Sequence, residues 1–217
     1  MTATDAALPL VDRRVHRALL DAVIATGAVR GMVDLAASGG MSAVEVEASL
    51  EALVRADYLG RTPAGEITCL YPFSIAPTPH VVVIDGAHRH AMCSIDALGV
   101  AAMLGRAVAI EGGCAECGAV LRVEVEPGRI VRAVPAETVV VARRSGAEQA
   151  CEVCCPGTLF ACRRDHAEVL ASRSPATEVV PLGEALGHAE AILARLLDET
   201  LPAQRPRSRV TTALLRT

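Results

Sequence analysis

The chain has 217 residues, of which 52% are hydrophobic, 21% charged and 2% aromatic, with no Trp and a formal net charge of −4. That length suits one large domain, or a small domain joined to a medium one at a usual ~100–150 residues each, and two units are expected. No run of about eighteen uncharged apolar residues offers a membrane span, Met1 to Leu10 lacks the pattern of an export signal, and a negative chain lacks the clustered Lys and Arg that draw proteins onto nucleic acid.

In chain order, apolar residues at helical spacing run through Val15, Leu19, Leu20, Val23 and Ile24, and a second short helix is predicted near Met32 to Ala37 before Gly39-Gly40. Ser42 and Glu45 have the spacing of a capping box ahead of Val46, Leu50, Leu53 and Val54, which predicts a third helix. Tyr58 to Arg61 and Glu66 to Tyr71, joined through Thr62-Pro63-Ala64-Gly65, read as a hairpin. Three helices and a hairpin predict a winged-helix-like unit. Three prolines between Pro72 and Pro79 favour an extended crossing, so the first domain is expected to span 1–79.

Beyond the crossing, strands are predicted at His80 to Ile84, Ala107 to Glu111, Ala119 to Glu126, Ile130 to Val134 and Thr138 to Ala142. Turns fall at Asp85-Gly86 and Pro127-Gly128, with helices at Ser94 to Leu104 and Gly183 to Asp198. Short strands joined by tight turns imply a mixed, mainly antiparallel sheet with flanking helices, making the fold class α+β. This second domain is expected over 80–201, with 202–217 as a tail of little periodicity.

Eight cysteines dominate the chemistry: Cys69, Cys93, Cys114, Cys117, Cys151, Cys154, Cys155 and Cys162. In the reducing cytoplasm expected for a chain without export, thiols serve more often as metal ligands or nucleophiles than as disulfides. Cys93 sits where strand and turn give way to a helix, with Asp96 one turn on and on the same face. A helix N-terminus favours the thiolate, the form that attacks soft electrophiles and binds soft metals. Two convergent thiolates and a carboxylate suit Hg(II), Cu(I) or Zn(II) better than Mg or Ca. A buried apolar Cys beside an ordinary capping Asp would give the same pentapeptide.

The stretch His90-Ala-Met-Cys93-Ser-Ile-Asp96-Ala-Leu98, continuing through Ala102-Met-Leu-Gly-Arg106, resembles the cysteine-x-x-aspartate helix of the alkylmercury (organomercurial) lyase family. Cys154-Cys155 followed by Leu159-Phe160-Ala161 is similar to that family's second cysteine segment. The order of the N-terminal helices, crossing and first strand agrees, so the likeness covers roughly residues 12 to 198. The resemblance implies catalytic roles for Cys93, Asp96 and Cys154. Two thiolates would weaken the carbon–mercury bond of R–Hg⁺, and a proton delivered through Asp96 would release R–H and leave Hg(II) on the protein. It implies no organic cofactor, small thiols as co-reactants, and a mercuric reductase as recipient of Hg(II).

Cys114-Ala-Glu-Cys117 departs from that pattern. With Cys151 and Cys154 it has the spacing of a four-thiolate zinc site, which would make the protein a metal binder or a metal-responsive regulator. Alternatively Cys114 and Cys117 join two of Cys151, Cys155 and Cys162, giving a second metal site beside a free Cys154; Cys114, Cys117, Cys151 and Cys155 are the candidates. Cys69 and Cys162 read as buried thiols. His80, His88 and His90 near the turn before Cys93 read as solvated, with metal ligation the other option. Glu45, Glu47 and Glu51 facing a lone Arg55 argue against the third helix entering DNA. Phe73, Phe160, Tyr58 and Tyr71 are the whole aromatic supply, which disfavours bulky aryl groups as substrates.

Overall fold

A computed structural model describes residues 10–143, 155–174, 176–194 and 196–197. Three helices come first: α1 (Leu10–Thr26), α2 (Met32–Gly39) and α3 (Ala43–Arg55). The capping box at α3 forms as its spacing predicts: the Ser42 hydroxyl accepts from the Glu45 N–H, and the Glu45 carboxylate accepts from the Ser42 N–H at 2.8 Å. The predicted hairpin is β1 (Leu59–Arg61) and β2 (Ile67–Leu70), and the crossing contains a two-residue strand, β3 (Phe73–Ser74).

Next come β4 (His80–Ile84), β5 (Ala87–Ala91), α4 (Ser94–Leu104), β6 (Val108–Gly113), β7 (Val120–Glu126), β8 (Arg129–Val134) and β9 (Val139–Arg143). After a 3-10 turn (Cys155–Gly157) follow β10 (Leu159–Ala161), α5 (Arg164–Ser172), β11 (Thr177–Pro181) and α6 (Leu182–Leu193). The expectation of a mixed, largely antiparallel α+β architecture holds. Eight strands form one antiparallel sheet in the order β1-β2-β3-β5-β4-β6-β7-β8, and β10-β9-β11 form a second. β3 pairs with both β2 and β5, so hydrogen bonding is continuous from the N-terminal hairpin into the large sheet.

Strand β5 lacked a sequence signal because its centre is His88-Arg89-His90. Arg89 is nevertheless buried. Its guanidinium donates to the carbonyls of Ile24 (3.0 Å), Ala25 (2.8 Å) and His88 (2.7 Å). Two of these belong to the last turn of α1, where carbonyls have no helical partner and a cation is electrostatically favoured. One buried arginine thus ties the helices to the sheet. Asp85 and Gly86 both have positive φ (50° and 79°), the backbone that a tight hairpin turn between β4 and β5 requires.

Helix α4 is apolar on nearly every side, with Ala97, Leu98, Val100 and Ala101 all fully buried, as suits a helix enclosed on all faces. Its partner is α6, which closes on it at Gly99, where an added Cβ would stand 2.3 Å from Leu193 Cδ1 and 2.9 Å from the Ala189 carbonyl oxygen. Ala is intrinsically the better helix former by ~1 kcal/mol. Gly99→Ala is nevertheless expected to destabilise the fold, since overpacking against backbone costs ~1–3 kcal/mol; a lowered denaturant midpoint with unchanged slope is the outcome to look for.

Candidate active site and a second thiol cluster

Helix α4 starts at Cys93, whose extended backbone (φ −154°, ψ 176°) is the N-cap and whose Sγ accepts from the Asp96 N–H at 3.4 Å. A thiol here replaces the usual Ser or Asp cap. Hydrogen bonds on both sides fix this corner: Met92 N–H donates to the Pro72 carbonyl (3.0 Å), and Ser94 N–H donates to the Thr158 carbonyl (3.2 Å). The second of these links α4 to the segment that follows the 3-10 turn. Thr158 is itself held there, its hydroxyl accepting from the Arg143 N–H of β9 at 3.1 Å.

Cys155, at the head of that turn, donates from Sγ to Asp96 Oδ2 at 3.6 Å. The ligand atoms of Cys93, Asp96 and Cys155 all lie within 4.8 Å of one another. These residues are 3%, 3% and 5% exposed, so the carboxyl is dry and flanked by two thiols. Burial is the main reason that the Asp96 pKa rises from its ordinary 3.8 to about 6, against hydrogen bonds from Cys93, Cys155 and Tyr71 that lower it. The expected thiolate at Cys93 needs correction on the same ground. Desolvation outweighs the helix N-terminus and pushes the Cys93 thiol up to about 12, so the resting group keeps its proton.

Sequence reasoning missed Tyr71. Its phenol hydrogen-bonds to Asp96, and burial first, then the nearby charges of Asp96, Cys93 and Cys155, raise its own pKa well above the ordinary range. A short chain of groups backs it. Tyr58 meets Tyr71 edge-on with ring centroids 6.3 Å apart, and His16 of α1 meets Tyr58 at 5.0 Å. The His16 ring also hydrogen-bonds to the backbone of Tyr71, although burial holds its pKa down to about 4. The N-terminal helices therefore contribute to the wall behind Asp96.

Cys154 and Cys151 lie outside the described residues. The other candidates regroup. Cys155, expected beside Cys114 and Cys117, sits instead with Asp96. The partners of Cys114 and Cys117 are Cys162 and His166. The physical reason is β10, which runs between Cys155 and Cys162 and delivers one thiol to each cluster. In the second cluster Cys114 Sγ and Cys162 Sγ lie 3.6 and 3.3 Å from His166 Nδ1, and Cys117 Sγ lies 3.8 Å from Cys162 Sγ. Burial alone would raise the Cys114 pKa, but bonds from the backbone of Cys162, Cys117 and Glu116 and from the His166 ring bring it down to about 6. Burial, together with the neighbouring Cys114 and Cys117, pushes Cys162 up to about 11.

Of the histidines near Cys93, expected to be solvated, His88 is exposed, but His80 is not, because it packs against Phe160. His80 is buried against Phe160 at 5.7 Å, and desolvation lowers its pKa to about 4; His90 Nδ1 lies 3.0 Å from the Thr78 carbonyl; His88 is exposed near Glu111.

The alkylmercury lyase family model matches residues 73–194. A curated relative, the alkylmercury lyase of Staphylococcus epidermidis, is 36% identical over 109 residues, 49% of this chain and 48% of that protein. The alkylmercury lyase of Pseudomonas putida is 29% identical over 129 residues, 58% of this chain and 60% of its own length. The match thus spans roughly half the length of the Staphylococcus relative. In overall fold the chain is similar to a solved structure described as the mercury-bound form of MerB2, with a TM-score of 0.74 at 22% identity, covering 88% of this chain and 93% of that one.

The raised Asp96 pKa carries a stability consequence. A carboxyl that holds its proton more tightly when folded than when unfolded makes the native state less stable as pH climbs from the unfolded value toward the folded one, and leaves the penalty in place above it. Between 3.8 and about 6 the chain should therefore lose stability through this group. Asp96→Asn should be more stable than the parent at pH 8, by on the order of 2–3 kcal/mol at most. The gap should close as pH falls toward 4, which denaturant melts across that window would register; a pH-independent gap would refute the burial argument.

Proposed function

The chain belongs to the alkylmercury lyase family, and on that premise we propose that it cleaves the carbon–mercury bond of an organomercurial R–Hg⁺ to R–H and Hg(II), with Cys93, Asp96 and Cys155 as the catalytic residues. One observation carries the reading: a protonatable, desolvated carboxyl stands between two thiols. A structural thiol pair has no need of such a group.

In this reading the substrate arrives as R–Hg–X, with X a small thiolate. The first protein thiol takes mercury and its proton leaves on X, giving R–Hg–S and HX. The second thiol passes its proton to the Asp96 carboxylate and its sulfur adds to mercury, raising electron density on the metal and on carbon. Cys155 suits that step because its thiol already donates to Asp96 Oδ2. The Asp96 carboxyl then delivers the proton to carbon as the carbon–mercury electron pair takes it up. R–H departs, Hg(II) stays on two thiolates and the carboxylate is restored. The balance is R–HgX plus two thiols giving R–H, HX and Hg(II) bis-thiolate. A single thiolate would stop at the stable R–Hg–S adduct.

A carboxyl that titrates near neutrality can both accept the thiol proton and release it to carbon, the match of pKa to task that general acid catalysis requires. Tyr71 acts as a positioning residue, holding the carboxyl from the side of the N-terminal helices. In this reading those helices and the β1-β2 hairpin make up a winged-helix-like unit that ends near residue 79 and backs a catalytic unit that begins at residue 80. Among the described residues no helix is long and apolar enough to cross a membrane. The reading places the protein in a thiol-rich cytoplasm, where small thiols or a mercuric reductase take Hg(II) from the product site.

Methane release from methylmercury in excess small thiol is the direct test. Cys93→Ser, Asp96→Ala and Cys155→Ser are each expected to lose activity by about 100-fold or more, as removal of a transition-state group does; the family resemblance gives the second thiol role to Cys154, so Cys154→Ser is measured beside them. Loss in Cys154→Ser with retention in Cys155→Ser would transfer the second role to Cys154; no methane from the parent protein would sink the lyase reading. The pH profile gives a finer check. Tyr71 lowers the Asp96 pKa, so Tyr71→Phe should shift the acid limb of activity upward by roughly half to one pH unit, because the carboxylate that accepts the thiol proton then forms only at higher pH; an unmoved limb would remove Tyr71 from the site.

A further inference from the structure

Among the described residues, one cluster of three thiols and an imidazole is not used by the proposed carbon–mercury chemistry. We propose that Cys114, Cys117, Cys162 and His166 form a structural Zn(II) site of the three-thiolate, one-imidazole type. Their four donor atoms all lie within 4.8 Å of one another. Zinc held at ~2.3 Å from sulfur and ~2.0–2.1 Å from nitrogen in a tetrahedron has edges of roughly 3.8 Å between sulfurs and roughly 3.5 Å between sulfur and nitrogen. The observed separations are 3.8 Å for Cys117 Sγ to Cys162 Sγ, and 3.6 and 3.3 Å from His166 Nδ1 to the Cys114 and Cys162 sulfurs. Three edges of the polyhedron are thus already at zinc-site length.

The backbone is built for such an ion. Cys114-Ala-Glu-Cys117-Gly118 closes as a knuckle: Gly118 N–H donates to the Cys114 carbonyl and Cys114 N–H to the Ala119 carbonyl, each at 2.8 Å, with Gly118 at φ +73° where a side chain would be strained. Ala115 N–H then donates to the Phe160 carbonyl (3.0 Å), which brings the knuckle against β10. Cys162 follows that strand, and His166 lies one turn further, in the first turn of α5. The donor set also discriminates between ions. Four converging donors including an imidazole suit tetrahedral Zn(II), whereas Hg(II) is satisfied by two thiolates in a line.

The imidazole has a tautomer to settle. Arg163 Nη2 lies 2.7 Å from His166 Nε2 and donates to it, which leaves the ring proton on Nδ1. Zinc on Nδ1 moves that proton to Nε2. The half-exposed guanidinium then keeps only its contact with Asp165, at 2.8 Å. The ion's place in the fold follows from β10: it pins one end of a strand whose other end leads back to Cys155.

Zinc content separates this site from the carbon–mercury chemistry, since no turnover is needed to read it. The full chain, expressed with zinc and passed over a mild chelator, should hold stoichiometric Zn(II), and Cys93→Ser and Cys155→Ser should hold as much. Cys117→Ala, which removes an exposed thiol, should weaken zinc binding by more than the ~10–100-fold typical of changes outside the ligand shell. His166→Cys should keep the ion. Cobalt(II) in place of zinc should give thiolate-to-metal charge transfer and intense tetrahedral d–d bands, with the charge transfer stronger in His166→Cys. Zinc absent from the parent, zinc lost with Cys93→Ser, or a mass two hydrogens short from a Cys117–Cys162 disulfide would each overturn the proposal.

Discussion

A carboxyl shut away from water between two thiols is the constraint around which this molecule is arranged. Burying an ionised Asp without a cation costs more than its hydrogen bonds return, so the group drifts toward its neutral form. Everything near it serves to keep it there. Asp96 sits in the first turn of a helix that is enclosed on all sides, Cys93 caps that helix, and Cys155 and Tyr71 approach from separate segments. None of these could relax toward solvent without unseating α4, whose seat against α6 depends on the bare backbone at Gly99.

The same low dielectric settles the state of the sulfur. A helix N-terminus stabilises a thiolate by at most a couple of kcal/mol, and complete burial works against it more strongly. Cys93 is therefore held as a thiol until something replaces its proton. In the proposed reaction mercury would do so, the proton leaving on the displaced thiolate, because a soft metal binds sulfur strongly enough to displace hydrogen even from a weakly acidic thiol. Inertness toward ordinary electrophiles and readiness for a soft metal are compatible in one buried group.

Much of this could be read from residues in order. Helices α1 and α3 carried apolar periodicity, α3 behind a capping box, and most strands of the large sheet alternated between clear turns. What escaped has identifiable causes. Strand β5 is written in His and Arg, because its central side chain caps carbonyls of α1 and not a hydrophobic core. Tyr71 reads only as the end of a hairpin, since its partner is 25 positions away in sequence. The adjacent Cys154 and Cys155 cannot be told apart by spacing; Cys155, at the head of the 3-10 turn, donates to Asp96, and Cys154 lies outside the described residues. Cys162 and His166 did carry a signal in their three-residue interval, the kind of spacing at which a helix start presents two ligands together.

The match to the alkylmercury lyase family model begins at residue 73, two positions after Tyr71. The matched segment and the physical unit that makes the acid therefore have different borders. The phenol touching Asp96, the ring behind it and the helix bearing His16 all precede that segment. A piece cut at the family border would keep both thiols and the carboxyl yet admit water to a face now closed by tyrosine, and its aspartate would return toward the acidity of any surface carboxyl. The matched segment carries the thiols and the carboxyl; the neighbouring helices set how dry, and so how weakly acidic, that carboxyl is.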